Sequence, residues 1–311
     1  MGVDRERVRA LARRQDLVVT AGQLAAAGVE RSWIQRQVRA GHWQRLHPGV
    51  YVVHSGPIAW RSRARAALLH AGVGAALSHR SAAFLHGWAP PPPVVDLCIP
   101  HARKVEPGVG LRIHRRRLLR VVSGRLTVVA RGDTVMDLLV TTHAVDDAVA
   151  TVTAALRAGT RAEEVLEALG ARSRVRHRTL VHELLDAVTD GVESALELRY
   201  HRDVEGRHGL PRAVRQQWQR LGGRWIRADA IYDGTGVRVE LDGRVAHEGR
   251  LDDDVWRDNA VAVSYGELTL RYRWSHVAGS PCPTAAQVVA ALRSRGWKGR
   301  ARPCSPTCPV R

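Results

Sequence analysis

Acidic side chains inside two apolar, strand-like segments late in the chain constrain its fold more than any other feature. A carboxylate buried in an apolar strand destabilises the fold unless a positive group meets it. Each of these acids therefore requires a metal ion or an arginine close by. The acids are Asp229 in Ala-Asp-Ala-Ile-Tyr (228–232), Glu240 and Asp242 in Val-Arg-Val-Glu-Leu-Asp-Gly (237–243), and Glu197 in a helical pattern upstream.

Both kinds of partner are compatible with the sequence. Carboxylates that converge in a basic chain suit a divalent cation such as Mg²⁺, which prefers oxygen ligands. Structural ion pairs are the alternative, because residues two apart on a strand share one face. We expect the metal, since the surrounding sequence pattern supports it. The arginines two residues from an acid are Arg227 (Asp229), Arg238 (Glu240) and Arg244 (Asp242).

Charge indicates the kind of partner. The chain carries 48 lysine and arginine residues against 30 acidic residues, a net charge of +18. Nearly all the cations are arginines, a choice that the coding bias of a GC-rich genome explains. That bias does not explain the excess of cations, which with a pI near 11.2 indicates a polyanionic partner, and nucleic acid is the usual one. A generally basic protein without such a partner is the alternative.

Length and composition indicate a globular protein of two or three domains. The chain has 311 residues, 45% of them hydrophobic, which is enough for several cores. No apolar run is long enough to cross a membrane, and the start, Met-Gly-Val-Asp-Arg-Glu-Arg, lacks an apolar signal region. We expect a cytoplasmic protein with no membrane partner and no organic cofactor.

The four cysteines are too few and too scattered for a disulfide scaffold. The spacing of Cys304 and Cys308 is compatible with half of a zinc site, but no second pair of ligands lies nearby in the sequence. Because both fall in a proline-rich segment, we expect residues 301–311 to be a disordered tail. The other two cysteines are Cys98 and Cys282.

Residues 1–54 have the element order of a winged helix-turn-helix. A helical pattern is followed by Thr20, which suits the cap of a short second helix, and by a turn at Gly28. A third helix and a hairpin with a Pro-Gly turn complete the order, and in this motif the third helix enters the major groove. The predicted elements are helices at 5–15, 21–27 and 30–40 and a hairpin at 43–53.

Polar and basic side chains on the third helix form the predicted DNA-reading face. Arginine and glutamine hydrogen-bond base edges, and arginine also binds phosphate. Trp33, Ile34 and Val38 are left to supply the core contacts of the helix. A small helical interaction module with a solvated basic face is the alternative. The predicted DNA-binding residues are Arg31, Ser32, Gln35, Arg36 and Arg39, with Arg45 and His47 on the wing.

The remaining chain is predicted to form two further domains, so the fold class is α/β multidomain. Residues 58–190 alternate amphipathic helices with short strands and are predicted to form an α/β middle domain. Residues 191–300 follow the order helix, three strands, helix, strand, helix.

This last order, with Asp on the second strand and Glu-x-Asp on the third, resembles the PD-(D/E)xK nuclease superfamily. It more closely resembles the bacterial family related to very-short-patch-repair endonucleases. The resemblance implies a restriction-endonuclease-like α/β domain that hydrolyses phosphodiesters with Mg²⁺ or Mn²⁺. The matching text is Ser194-x-x-Glu197, Asp229, Val239-Glu-Leu-Asp-Gly-Arg-x-x-His247, Asp254-x-x-Arg257-Asp258-Asn259 and Leu270-Arg-Tyr-Arg-Trp274.

The resemblance also implies residue roles. Two acids would hold the metal, a third would reach it through water, a histidine would act as base or phosphate donor, and an arginine would bind phosphate. Asp242 stands where the superfamily has lysine, so the group that activates water is unassigned, and Glu267 stands where tryptophan is usual. The implied metal ligands are Asp229 and Glu240, and the implied catalytic residues are Glu197, Asp229, Glu240, Asp242, His247 and Arg257.

The N-terminal 100 residues resemble another group. Val18-Val-Thr-x-x-Gln-Leu, Arg45-Leu-His-Pro-Gly-Val-Tyr and Leu77-Ser-His-Arg-Ser-Ala-Ala are similar to AbiEi-type antitoxins. That resemblance implies a DNA-binding autorepressor of a toxin–antitoxin system.

These features predict a DNA-binding protein with a metal-dependent endonuclease-like C-terminal domain. The alternative is a non-enzymatic, antitoxin-like transcriptional regulator whose nuclease fold is degenerate. RNA instead of DNA as the substrate is a third hypothesis.

Overall fold

The computed structural model describes residues 5–186, 192–242 and 251–311. These residues form a mixed α/β protein with β-sheets of three, four and five strands. Within them, no helix combines the length and apolar character that crossing a membrane requires.

The chain divides into two compact units. Unit 1 comprises residues 1–140 and 154–173, and unit 2 comprises residues 141–153 and 174–311. The predicted winged helix and the strands of the predicted middle domain both belong to unit 1. The predicted boundary between residues 54 and 58 falls inside unit 1 and stays a prediction.

Unit 1 begins with the predicted helix, short helix, turn, helix and hairpin. Thr20 and Gln23 form a reciprocal capping box, in which Gln23 N donates to Thr20 Oγ1 at 3.2 Å and Thr20 N donates to Gln23 Oε1 at 2.9 Å. Gly28 makes the turn with φ +75°, a conformation that strains other residues. The elements are α1 (Arg5–Arg14), β1 (Val18–Thr20), α2 (Ala21–Ala26), α3 (Arg31–Arg39), β2 (Gln44–His47) and β3 (Val50–Val52).

Strand β1 is an element that the sequence pattern did not predict. It pairs antiparallel with β3, with Val18 opposite Val52, and the sheet order is β1-β3-β2. The hairpin is thereby joined to the helices and is not an isolated ribbon, which would be marginal in water. Trp43 and Tyr51 share a core with α3, where the Trp33 and Trp43 rings meet edge to face at 5.2 Å. Val50 and Val52 pack in a second cluster with Val18 and Ala66.

His47 lies at the end of β2 but faces inward, with 6% of its surface exposed. Its ring stacks on that of His70 with centroids 4.9 Å apart. Burial, followed by the neighbouring His70, lowers the pKa of His47 to about 4. His47 is therefore an interior residue of unit 1, in contrast to its predicted place on the wing surface. Arg45, two residues earlier, is exposed.

A mixed five-stranded sheet completes unit 1, and its apolar strand β5 is buried over five of its six residues. The strand order is β6-β5-β4-β8-β7. Helices α6 and α7 run across the sequence boundaries between the two units. The elements are α4 (Trp60–Ala71), β4 (Ala76–Leu77), α5 (His79–His86), β5 (Val95–Pro100), β6 (Leu111–Arg116), β7 (Val121–Val122), β8 (Val128–Val129), α6 (Arg131–Thr141), α7 (Val145–Arg157) and α8 (Ala162–Gly170).

Unit 2 contains a four-stranded sheet of order β12-β11-β10-β9. Strands β9, β10 and β11 are antiparallel neighbours, and β12 lies parallel to β11. The predicted order of helix, three strands, helix, strand and helix is present. The elements are α9 (Arg178–Asp186), α10 (Val192–Arg199), β9 (Val214–Leu221), β10 (Arg224–Tyr232), β11 (Val237–Asp242), α11 (Leu251–Tyr265), β12 (Leu268–Arg273) and α12 (Pro281–Ser294), with π-helical turns at Tyr200–Gly206 and Ser275–Gly279.

The C-terminal segment 301–311 packs against unit 2, in contrast to the predicted disordered tail. Ala301, Cys308 and Val310 are buried. The backbone N–H of Arg302 donates to the carbonyl of His208 at 2.9 Å. Local composition suggested disorder, but distant parts of the chain supply the surface on which these residues are buried.

The lowered pKa of His47 predicts that unit 1 loses stability as pH falls from 6.5 toward 4. The unfolded chain takes up the proton in this window and the folded chain does not, so protonation favours unfolding. Above the window the residue has no such effect. At pH 5 the cost is about 2 kcal/mol of unfolding free energy.

Urea unfolding near pH 5 and near pH 8 measures this difference in free energy. His47→Gln is expected to remove this contribution, and His42→Gln, at an exposed position, is expected to leave it in place. The same pH dependence in both variants would contradict the assignment.

Candidate functional site

The predicted DNA-reading side chains of α3 all lie on its exposed face. Ile34 is buried, Trp33 and Val38 are partly buried, and the core beneath them fixes the rotation of the helix. Within the part of the chain that the structure describes, no carboxylate forms an ion pair with these arginines, and Ser32 Oγ donates to Glu30 Oε2 at 3.2 Å. The exposed residues are Arg31, Ser32, Gln35, Arg36 and Arg39.

Arg45 extends the basic surface onto the hairpin. It is exposed on β2, opposite Tyr51 of β3. The contact of Trp33 with Trp43 ties α3 to the residue that precedes β2. This contact fixes the position of α3 relative to the hairpin. The exposed arginines of α3 and Arg45 of the hairpin therefore keep a fixed arrangement on the surface. Such a surface suits phosphate and base-edge contacts.

The acidic residues of unit 2 converge as their spacing predicted. Asp229 of β10 and Glu240 of β11 lie one step beyond the paired residues Ala230 and Val239. Burial raises the pKa of both Glu197 and Glu240, and the negative charge of Asp229 adds to the increase. The structure thus brings the carboxylates of α10, β10 and β11 near one another.

Gln216 links two of these acids and was not predicted. Its Nε2 donates to Glu197 Oε1 at 2.6 Å and to Asp229 Oδ1 at 3.5 Å. Its backbone has φ +53°, which is strained for a residue with a side chain. The sequence gives no signal that separates Gln216 from Gln217 or Gln219, because all three fall in one alternating strand.

Glu240 has a buried cationic partner, as the ion-pair alternative predicted. Arg238 is 1% exposed, and its Nε lies 2.5 Å from Glu240 Oε1. The same guanidinium is 3.5 Å from Glu267 and hydrogen-bonds Gln219 at 2.5 Å. Glu267, which departs from the tryptophan usual in the resembling family, therefore completes a buried polar network.

The remaining predicted catalytic residues are placed as follows. Arg257 NH2 is 3.9 Å from Glu240 Oε2, and Arg273 Nε is 4.0 Å from Asp242 Oδ2. His247 lies outside the described residues. Asp229 also accepts a backbone hydrogen bond from Leu241 N at 2.7 Å.

A metal at the acidic cluster would compete with these existing partners. Gln216 and Leu241 occupy oxygens of Asp229, and Arg238 occupies one oxygen of Glu240. Glu197, Asp229 and Glu240 are not among the described groups whose ligand atoms all lie within 4.8 Å of one another. The predicted pair of metal ligands, Asp229 and Glu240, with Glu197 reaching the metal through water, stays a prediction.

Comparison with known proteins finds a similarity in the N-terminal segment. Residues 6–54 match the family described as transcriptional regulator, AbiEi antitoxin. No protein of curated function matches the chain. The crystal structure of the RV2827C protein from Mycobacterium tuberculosis is similar over 57% of this chain and 74% of that chain, at 17% identity and a TM-score of 0.41. The endonuclease resemblance of residues 191–300 stays a prediction.

Arg238 is predicted to stabilise unit 2 by compensating two buried carboxylates. Arg238→Met should lower the free energy of unfolding by about 3–5 kcal/mol, because Glu240 and Glu267 lose their cation in the interior. Arg273→Met, which removes a half-exposed arginine from the neighbouring strand, should cost less than about 1 kcal/mol. Urea unfolding of the two variants gives the comparison, and similar losses would contradict a compensating role for Arg238.

Proposed function

We propose that the chain is a DNA-binding transcriptional regulator of the antitoxin type, and that its winged-helix segment contacts the DNA. The observation that carries this proposal is the exposed basic face of α3, on a segment matched to an antitoxin and regulator family. The net charge of +18 supports a polyanionic partner. Such a regulator would act in the cytoplasm.

In the proposed complex, α3 enters the major groove. Arg31, Ser32 and Gln35 lie toward its N-terminal end, the part of a recognition helix that contacts base edges. Arg36 and Arg39 follow on the same exposed side and bind phosphate. Arg45 on the hairpin contacts the backbone beside the groove. Sequence preference would therefore come from the first turns of α3 and affinity from the arginines.

Replacing Arg36 and Arg39 together by alanine should weaken DNA binding and reduce its salt dependence. Loss of two phosphate contacts lowers the slope of log K against log salt by about 1.8. Fluorescence anisotropy at several salt concentrations measures the slope, using a duplex selected by the protein from a randomised pool.

The matched control is Arg115→Ala with Arg117→Ala, which removes two exposed arginines of unit 1 outside α3. This control variant should keep most of the wild-type affinity for DNA and most of the slope of log K against log salt. An equal loss in both double variants would mean that general charge, and not the face of α3, binds the DNA.

Endonuclease activity is the second candidate, and the convergence of Glu197, Asp229 and Glu240 favours it. Asp229 and Glu240 would hold Mg²⁺ or Mn²⁺, which would polarise a phosphodiester. Gln216 would have to release Asp229 for this to occur. Arg257, near Glu240, would hold that acid or bind phosphate. The ion pair between Glu240 and Arg238 instead favours the alternative hypothesis, a regulator whose nuclease fold is degenerate.

If the second candidate is right, Asp229→Asn should reduce nicking of supercoiled plasmid by at least about 100-fold, since it removes a metal-binding charge. Asp233→Asn, in the exposed turn between β10 and β11, should retain the wild-type rate. Mismatched DNA and duplex RNA, each with Mg²⁺ or Mn²⁺, test the class of substrate. Absence of cleavage by the wild-type protein on every substrate, or equal cleavage by Asp229→Asn, would exclude the nuclease.

A further inference from the structure

Four side chains of the kinds that can bind a metal, a histidine and three cysteines, meet in unit 2. The ligand atoms of His208, Cys282, Cys304 and Cys308 all lie within 4.8 Å of one another. His208 follows the π-helical turn after α10, Cys282 lies in the first turn of α12, and the other two belong to the segment 301–311. This cluster is separate from the acidic residues of the sheet.

The histidine of the cluster is held as a metal ligand usually is. His208 is fully buried, and its Nδ1 lies 3.1 Å from the carbonyl of Val204. A carbonyl can only accept, so Nδ1 carries the hydrogen and Nε2 keeps its lone pair. Nε2 is buried without a hydrogen-bond partner among the described residues. Metal-binding histidines show this arrangement, with the second nitrogen donating to a backbone carbonyl.

The three thiols have the spacing and chemistry of zinc ligands. All are free cysteines, and the sulfurs of Cys282 and Cys304 are 3.3 Å apart. Two sulfurs on a tetrahedral zinc lie about 3.8 Å apart, because each Zn–S bond is about 2.3 Å long. A disulfide would need about 2.0 Å. Thiolates with one imidazole select zinc over the oxygen-preferring cations.

The backbone around the thiols is also suited to anionic sulfur. The backbone N–H groups of Cys304 and Val310 donate hydrogen bonds to the Cys308 sulfur. Backbone N–H groups directed at a sulfur stabilise its thiolate form, which is the form that binds metal.

We propose that His208, Cys282, Cys304 and Cys308 bind one Zn²⁺ ion in a closed, structural Cys₃His site. Four protein ligands complete a tetrahedral shell, so no position is left for water or substrate. On binding, thiols that still carry a proton release it to solvent. The site fastens the C-terminal segment to the start of α12 and to the helical turn that carries His208.

The packing of the C-terminal segment supports this structural role. The segment buries few side chains, chiefly Ala301, Cys308 and Val310. Its remaining attachments are polar, including Arg302 N to the His208 carbonyl at 2.9 Å and Arg293 NH2 to the Arg311 carbonyl at 2.7 Å. The apolar area buried by residues 301–311 is too small to hold this proline-rich segment in place by itself. A bound metal would supply the remaining stabilisation.

The test is the zinc content of the full-length protein, purified under reducing conditions without added chelator, by inductively coupled plasma mass spectrometry. We expect one zinc per chain. Cys304→Ser with Cys308→Ser should lower zinc affinity by at least about 100-fold. Cys98→Ala is the matched control, since Cys98 is a buried free cysteine in unit 1, and it should bind zinc like the wild type.

Cobalt provides a second measurement that does not depend on the variants folding. Chelator-treated wild-type protein titrated with Co²⁺ should develop thiolate-to-cobalt charge-transfer bands and tetrahedral d–d bands, saturating at one ion per chain. Reduced wild-type protein with neither zinc nor these bands would overturn the proposal. A disulfide between Cys282 and Cys304 in freshly purified protein, or full zinc content in the double serine variant, would also overturn it.

Discussion

The cost of burying charge in strand β11 is the constraint on which unit 2 depends. This strand lies between two others and is buried along almost its whole length, yet it carries Arg238 and Glu240. Ions in such a place are tolerated only with close partners and completed hydrogen bonds. Arg238 pairs with Glu240 and Glu267 and hydrogen-bonds Gln219, and this network positions Glu240 on the strand next to that of Asp229. Its geometry determines whether Glu240 can serve a metal.

In unit 1 the interior determines the functional surface. Trp33, Ile34 and Trp43 fix the rotation of α3, and the opposite face must then present the arginines to solvent. On β2 the pairing register shifts between Arg45 and His47, and this irregularity leaves Arg45 exposed and His47 buried although they are two residues apart. The DNA-binding proposal therefore depends on apolar packing as much as on charge, because packing decides which cations share a face.

Unit 2 shows two ways in which a fold treats ionisable side chains. The acidic cluster is filled by internal partners, with Gln216 between Glu197 and Asp229 and Arg238 beside Glu240. The cysteine cluster has a buried imidazole nitrogen without a partner among the described residues. A buried polar atom without a hydrogen-bond partner lowers the stability of the fold. The cysteine cluster is therefore a stronger candidate for a bound ligand than the acidic cluster.

Local sequence signals determined much of the architecture. Periodicity, the Thr20 cap, the turn at Gly28 and the hairpin predicted the winged-helix elements and the exposed set on α3, because these depend on neighbours within a few residues. The spacing of the acids likewise predicted that Asp229 and Glu240 meet on adjacent strands. For Glu240 the sequence was compatible with two partners, a metal ion or Arg238, and the structure shows Arg238.

Only the tertiary structure decided which partners these residues have. It placed Gln216 between two acids, turned His47 inward, and brought His208 and Cys282 to the C-terminal cysteines, which the sequence had left without further ligands. These contacts join residues far apart in the chain, so no local pattern encodes them. They follow from strand register and packing, which minimise buried unpaired charge and exposed apolar surface over the whole unit.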